Sequence, residues 1–301
     1  MNSSNLLFLL LVFLSPVISL SSSDWVFSWV GMEIGIVGLI PLICSKYSAS
    51  KEAVLKYFLV QSFASMLLLV GGILFFSLMF MKSLPLMILG FSAKIGFFPG
   101  QFWIIPVMSS LSWMSNFLIL GPSKIAPLGI FSFIINMSSA SMNIIIVLGV
   151  ISAILGSILG LNQTSTRAML AASSVAHSGW MMISLVYGSL WYYFCCYFLV
   201  LLFVFLSLNY FDMTSAWVNI LSLSGIPPFL MFSAKFKILM TLILMKNFVV
   251  FAFLIVSSSI SLIFYLKFMY YFLLNSKKIN FMSIAIFSIL NVLGVTFLVF
   301  F

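Results

Sequence analysis

The sequence predicts an all-α, polytopic membrane helix bundle of about eleven spans, and three observations predict it. Of 301 residues, 64% are hydrophobic and 6% charged, with a mean hydropathy of +1.30. Soluble domains carry roughly a quarter charged residues, and a fold this apolar would expose patches that water does not tolerate. Apolarity is continuous, not alternating, over runs such as 143–161 and 249–274. Lipid admits only helices and closed barrels, and barrel strands alternate, so these spans are helices. The connections between runs are short, which leaves no room for a separate soluble domain.

The elements follow in order. Span 5–20 is a leucine-rich run followed by Ser21, Ser22 and Ser23. That tail has the look of a signal-peptide cleavage site, but no basic residue precedes Asp24, so the run is read as a retained span. No Arg-rich amphipathic transit segment is evident, and 34 Phe and 19 Met suit a chain encoded and inserted inside an organelle. Span 25–44 carries Gly31, Gly35 and Gly38 on a face roughly opposite Glu33. Small residues there let a neighbouring helix approach closely. Span 54–80 is continuous. Span 84–105 is interrupted at Gly96, Phe97, Phe98, Pro99 and Gly100, because proline removes a backbone donor and clashes with the preceding turn. Spans 111–136, 142–161, 168–187 and 190–210 are apolar runs of helical length. Span 217–240 is interrupted at Gly225, Ile226, Pro227 and Pro228, and spans 248–273 and 281–301 complete the chain.

The two interrupted spans lie five apart, an odd number, and so would run in opposite directions. Interrupted helices at corresponding places in two halves point to inverted-repeat transporters. Both carry Phe-Ser-Ala-Lys, at 91–94 and 232–235. Loop charge sets the orientation. One side holds Lys46, Lys51, Lys56, Arg167, Lys277 and Lys278, and the other only Lys82 and Lys246. The positive-inside rule places the first set and the N-terminus inside, and an odd number of spans places the C-terminus outside.

Composition also excludes functions. The net charge of +9 is spread over scattered single bases, which form no patch for nucleic acid. Cys44, Cys195 and Cys196 lack metal-ligand spacing and read as packing residues. One histidine, His177, cannot supply paired haem ligands, and no cysteine cluster could hold an iron–sulfur centre. No cofactor or metal is expected on this chain.

The informative residues are ionisable groups deep within spans: Glu33, Lys94, Lys124, Lys235 and His177. A charge at a helix centre costs roughly 2.5–3.5 kcal/mol on insertion scales, which filler helices would have no reason to bear. One reading is a static Glu–Lys lock between helices. The other is a proton relay. A low dielectric disfavours the charged form of any lysine, and a nearby carboxylate restores it, so a lysine with a movable carboxylate partner is a switchable proton site. If Glu33 and Lys94 lie about 7 Å apart at an effective dielectric near 20, Coulomb's law couples them by roughly 2.4 kcal/mol. Lys237 lies about 200° from Lys235 around the helix and should face elsewhere. Lys267, beside Tyr265, Tyr270 and Tyr271, reads as a snorkelling base at an interface, and Arg167 as an orientation or lipid-headgroup charge.

These residues lie in motifs that resemble the family of NADH dehydrogenase subunit 2, an antiporter-like membrane subunit of mitochondrial complex I. The motifs are Trp29-Val30-Gly31-Met32-Glu33-Ile34 with Ile40-Pro41, Lys56 to Ser62 with Ala64-Ser65, and Ala93-Lys94-Ile95-Gly96 with Pro99 and Phe102-Trp103. They continue with Lys124-Ile125-Ala126-Pro127 and with Gly160-Leu161-Asn162-Gln163-Thr164 through Arg167, Ser173-Ser174, His177 and Gly179-Trp180. The last is Ser222-Leu223 with Gly225-Ile226-Pro227-Pro228 and Lys235. The resemblance implies antiporter-like inverted repeats and a single transmembrane proton-translocation domain over 1–301 in the mitochondrial inner membrane. It implies that Glu33, Lys94, Lys124 and Lys235 form a relay along the membrane plane, supported by His177. Partners would be other membrane-arm subunits and lipids, with protons and water as transported species. NADH, FMN, iron–sulfur clusters and ubiquinone would sit in other subunits. The inside becomes the matrix and the outside the intermembrane space.

Two positions depart from the family. Gln101 stands where it usually has histidine, and Ser123 where it usually has glutamine. Glutamine hydrogen-bonds water but holds no proton at neutral pH, so either a water chain replaces the histidine or conduction is impaired. Two alternatives stay open at this point: a sister antiporter-type subunit, and a structural scaffold without its own proton path.

Overall fold

The computed structural model describes residues 3–44, 48–77, 80–135, 139–209, 213–227, 229–275 and 288. Lys46, Pro228, Lys277, Lys278 and span 281–301, apart from Ser288, lie outside the described residues. Among the described residues the secondary structure is helical throughout. The chain divides into two compact units, Met1–Ile144 and Ile145–Phe301.

In the first unit, α1 (Ser3–Ser21) lies against α2 (Trp25–Ile43). The glycine face of α2 makes this possible: a methyl on Gly31 would lie 2.7 Å from the backbone nitrogen of Ser19, and one on Gly35 2.7 Å from Ser15 Oγ. α3 (Ser48–Phe76) packs against α4 (Phe80–Ile95), with Gly90 against Leu68 and the carbonyl of Ala64. After α4 the chain turns at Gly96, whose φ of 83° suits glycine, into a 3-10 turn at Gly100–Trp103 and then α5 (Ile104–Ser110). Gly100 sits against the backbone of Ala93, and Trp103 Nε1 donates to the Ala93 carbonyl at 2.8 Å. The interruption expected in the fourth span is present, and it is folded back on its own helix.

The next pass holds a further discontinuity. α6 (Trp113–Leu120) stops at Gly121, and α7 (Pro122–Ile135) restarts with proline at its first position. Proline suits that position, where its missing N–H would be unpaired in any case.

The second unit takes most of α8 (Ser139–Leu161), followed by α9 (Thr166–Val186), α10 (Leu190–Asn209), α11 (Met213–Ser224), α12 (Leu230–Leu244) and α13 (Phe248–Asn275). Ser165 caps α9, accepting from the Ala168 N–H at 3.3 Å. Every residue of α9 from Ala168 to Leu185 is buried, although this helix is among the least apolar of the spans. Its serines and histidine need protein around them, and α8 approaches closely through Gly149 and Gly156 to supply it. α13 is more apolar and far more exposed, as suits a lipid-facing helix. Serine hydroxyls such as those of Ser173, Ser174 and Ser178 donate to carbonyls one turn back, which satisfies them without water. The ninth pass breaks at Gly225, φ 77°, between α11 and α12, as expected.

Eight helices or helix pairs among the described residues are long and apolar enough to cross a membrane, and α1 is a shorter apolar helix. The interrupted α11–α12 pass adds to these.

Candidate functional site

Each unit carries buried ionisable groups. In the first, Glu33 projects from the middle of α2, and Lys94 from the last turn of α4, two residues before the Gly96 break. Lys94 Nζ donates to Glu33 Oε1 at 2.9 Å, with the lysine side chain 4% exposed and the glutamate 28%. The pair is in direct contact, closer than the separation of about 7 Å used above. At an effective dielectric near 20 the gross attraction is then roughly 6 kcal/mol, from which desolvation of both groups subtracts several.

Lys124 lies on the first turn of α7, just beyond the Gly121 break, and is 3% exposed. Its Nζ has no hydrogen-bond partner among the described residues. A cavity of about 30 Å³ lies among α1, α2, α3, α4 and α7, and Ser15, Tyr57, Gln61, Lys94 and Ser123 line it. That volume admits a water or two. Gln101 is buried on the 3-10 turn, its Oε1 has no hydrogen-bond partner among the described residues, and it is not among the residues lining this cavity. The polar groups that line it with Lys94 and Ser123 are Ser15 of α1 and Tyr57 and Gln61 of α3.

In the second unit, Lys235 of α12 donates from Nζ to the Ser224 carbonyl at 2.7 Å, across the break at the end of α11. It also lies 5.6 Å from the centre of the Trp180 ring. Lys94 precedes its break and Lys235 follows its own, so the shared Phe-Ser-Ala-Lys tetrapeptides do not occupy matching positions. Lys237 faces elsewhere, over the Tyr192 ring at 4.8 Å, as its helical phase requires. Lys267 Nζ reaches the Gln163 carbonyl at 3.3 Å, where α8 ends and the Arg167 loop begins. A cation there complements the helix C-terminus.

His177 sits mid-way along α9, 3% exposed. Its Nδ1 lies 2.8 Å from the Tyr193 hydroxyl and its Nε2 3.2 Å from the Tyr265 hydroxyl. Tyr193 stacks on Trp180, so His177 and Lys235 share one aromatic neighbourhood. Tyr265 therefore differs from the interfacial role given to it by its neighbours: it is buried at 1% exposure, while Tyr270 and Tyr271 are exposed. The three tyrosines occupy different faces of α13, and adjacency in sequence did not show which one points inward. Sequence reasoning also missed Tyr193. The signal was its place in a buried stripe with Cys196, Tyr197 and Val200, at helical spacing and away from the ends of α10.

Interrupted passes, deeply buried lysines and a carboxylate–lysine ion pair define a polytopic helical subunit of antiporter type. The family model described as NADH:quinone oxidoreductase/Mrp antiporter, TM, matches residues 22–83 and 77–218. NADH-ubiquinone oxidoreductase chain 2 of Albinaria caerulea is 36% identical over 94% of this chain and 94% of its own length. The Locusta migratoria protein of that name is 34% identical over 88% and 84% respectively. The chain belongs to the NADH-ubiquinone oxidoreductase chain 2 family, the family its motifs resembled. Among solved structures, a chain of respiratory complex I from Thermus thermophilus with bound aureothin aligns with a TM-score of 0.86 at 21% identity, covering 98% of this chain and 78% of that one. A chain of the Mrp complex from Dietzia aligns with a TM-score of 0.80 at 18% identity, covering 86% and 59%. At these identities the likeness is one of fold.

Proposed function

We propose that the chain is a membrane-arm subunit of respiratory complex I, part of a proton-translocating NADH:ubiquinone reductase in the mitochondrial inner membrane. Protons are conducted by Glu33, Lys94, Lys124 and Lys235, with His177 supporting. The carrying observation is the part-buried Glu33–Lys94 ion pair, whose buried lysine borders a water-sized cavity also lined by Ser123, the residue before Lys124.

With Glu33 ionised and in contact, Lys94 is held as the ammonium. Protonating or displacing Glu33 removes that attraction, and Lys94 then yields its proton to the cavity. Lys124, buried and without a hydrogen-bond partner among the described residues, is the next proton acceptor in this reading. Tyr57 and Gln61 supply hydrogen-bonding groups along the cavity, in place of the histidine for which Gln101 stands. Electron transfer, with NADH, FMN, iron–sulfur clusters and ubiquinone, belongs in this reading to partner subunits. The chain itself handles only protons and water.

The test is the proton yield per NADH of assembled complex carrying Glu33→Gln, Lys94→Met, or both. Each single change lowers the yield. The double variant loses less than the sum, with an interaction term of about 0.5–3 kcal/mol as expected for groups in contact. Unimpaired pumping by Glu33→Gln, or a strictly additive double variant, would leave only a scaffold.

A further inference from the structure

We infer that Trp180 is a positioning residue for Lys235: its ring face holds the lysine charged in the second unit, the part that the Glu33 carboxylate plays for Lys94 in the first. The inference rests on the proton-conduction reading above, in which Lys235 is a relay residue, and adds a group which that reading did not include. The second unit is short of acid. Of the chain's four acidic residues, Asp24, Glu33, Glu52 and Asp212, only Asp212 belongs to it, and Asp212 lies outside the described residues. Among the described residues no carboxylate pairs with Lys235, although this lysine is 6% exposed. An ammonium so deeply buried is costly unless groups of negative potential face it.

Two such groups do. The Ser224 carbonyl accepts from Nζ at 2.7 Å, and Nζ stands over the Trp180 ring, 5.6 Å from its centre. They differ in what they recognise. A carbonyl accepts a hydrogen bond from a neutral amine as well as from an ammonium, whereas the negative face of the ring is selective for the cation. Trp180 therefore weights Lys235 toward its proton-loaded form, on the order of tenfold for a desolvated contact. Glu33 can be neutralised by a proton and an indole cannot. Lys235 thus has a fixed counter-group where Lys94 has a switchable one.

The surroundings hold the ring in that place. Gly179, the residue before it, packs on α8, where an added methyl would lie 2.5 Å from the Ala153 nitrogen, and this close approach fixes the rotation of α9. The Trp180 ring is 2% exposed and stacks on Tyr193 with an interplanar angle of 5°. The Tyr193 hydroxyl in turn lies 2.8 Å from His177 Nδ1, which ties the stack to a second residue of α9. A tryptophan needed only to fill space would pack as well against an apolar side chain, without the cost of a buried charge over its face.

The test compares Trp180→Leu, Trp180→Phe and Lys235→Met in assembled complex I, by proton yield per NADH and by thermal midpoint. Leucine removes the ring face and lowers the yield toward that of Lys235→Met. Phenylalanine, a ring with a weaker face, restores part of it. Trp191→Leu, at an exposed tryptophan of the same unit, leaves the yield unchanged. The midpoint separates charge from packing. Trp180→Leu lowers it more in the parent than in a Lys235→Met background, where no cation is left to hold, whereas a tryptophan that only packs costs the same in both. If the leucine variant fails to assemble, Trp180→Met takes its place, because methionine is flexible enough to fill the space. Full yield in the non-aromatic variant, no gain from phenylalanine over it, or equal midpoint losses in the two backgrounds each overturns the role of Trp180. Full yield in Lys235→Met instead removes Lys235 from the relay, and with it the reading on which this inference rests.

Discussion

At the residue scale, Lys235 shows how a break in a helix creates a place for a cation. The last carbonyls of α11 have no intrahelical partner, and the Lys235 ammonium takes the one at Ser224. Gly225 is held against the lysine stem, where an added methyl would lie 2.8 Å from Cδ. Two residues further on, the Lys237 side chain is half-buried over Tyr192 and points away from that break. Replacing Lys235 with Met should therefore lower the proton yield of assembled complex, while Lys237→Met should leave it nearly intact. Equal losses from both, at normal assembly, would refute the phase argument. Which charged residues lie deep in the spans was legible in the sequence, and a charge inside a membrane is costly to keep. Their partners were not. Glu33 with Lys94 could be suggested, but the contact at 2.9 Å and the carbonyl that receives Lys235 depend on how helices distant in sequence meet.

At the element scale, small residues decide which helices touch. Lipid tails are as apolar as leucine, so helix pairs in a membrane gain from close packing rather than from leaving water. Gly31, Gly35 and Gly38 give α1 its seat on α2, and Gly149 and Gly156 give α8 its seat on α9. Gly31→Ala forces a methyl onto the backbone of Ser19, which cannot swing aside, and overpacking of this kind costs on the order of 1–3 kcal/mol. A lowered thermal midpoint, or a reduced amount of assembled complex, is the expected result. Val37→Ala, on an exposed position of the same helix, should change neither. The breaks at Gly96 and Gly225 were readable because glycine and proline punctuate helices wherever they occur. Gly121-Pro122 carried the same signal inside a long apolar run, and there the run length masked it.

At the scale of the whole molecule, loop charge makes a topological prediction. Lys51 begins the third pass and Lys246 follows the ninth, so an odd number of passes separates them. A single cysteine introduced at Lys51 should be shielded in intact mitoplasts and labelled only once the matrix face is opened. One introduced at Lys246 should be labelled from outside. The reverse pattern, or a matrix-exposed Phe301, would overturn the orientation. Within the second unit, Lys267 lies beside the carbonyl of Gln163 and so brings a further cation to the end that carries the Arg167 loop, consistent with one positively charged side.

The sequence by itself determined the solvent, the helical class, nearly all of the passes, two of the breaks and which side chains are costly enough to need a purpose. Each of these follows from composition, period or a local backbone rule that acts within a turn or two of its residue. Only the tertiary structure decided that Tyr265 turns inward to His177 while Tyr270 and Tyr271 turn out. Only it decided that a cavity joins Lys94 to Gln61 and Ser123 and leaves Gln101 aside. Those outcomes depend on contacts between helices far apart in the chain, where rotating a helix by a fraction of a turn changes every partner without changing the apolar pattern that made it a helix.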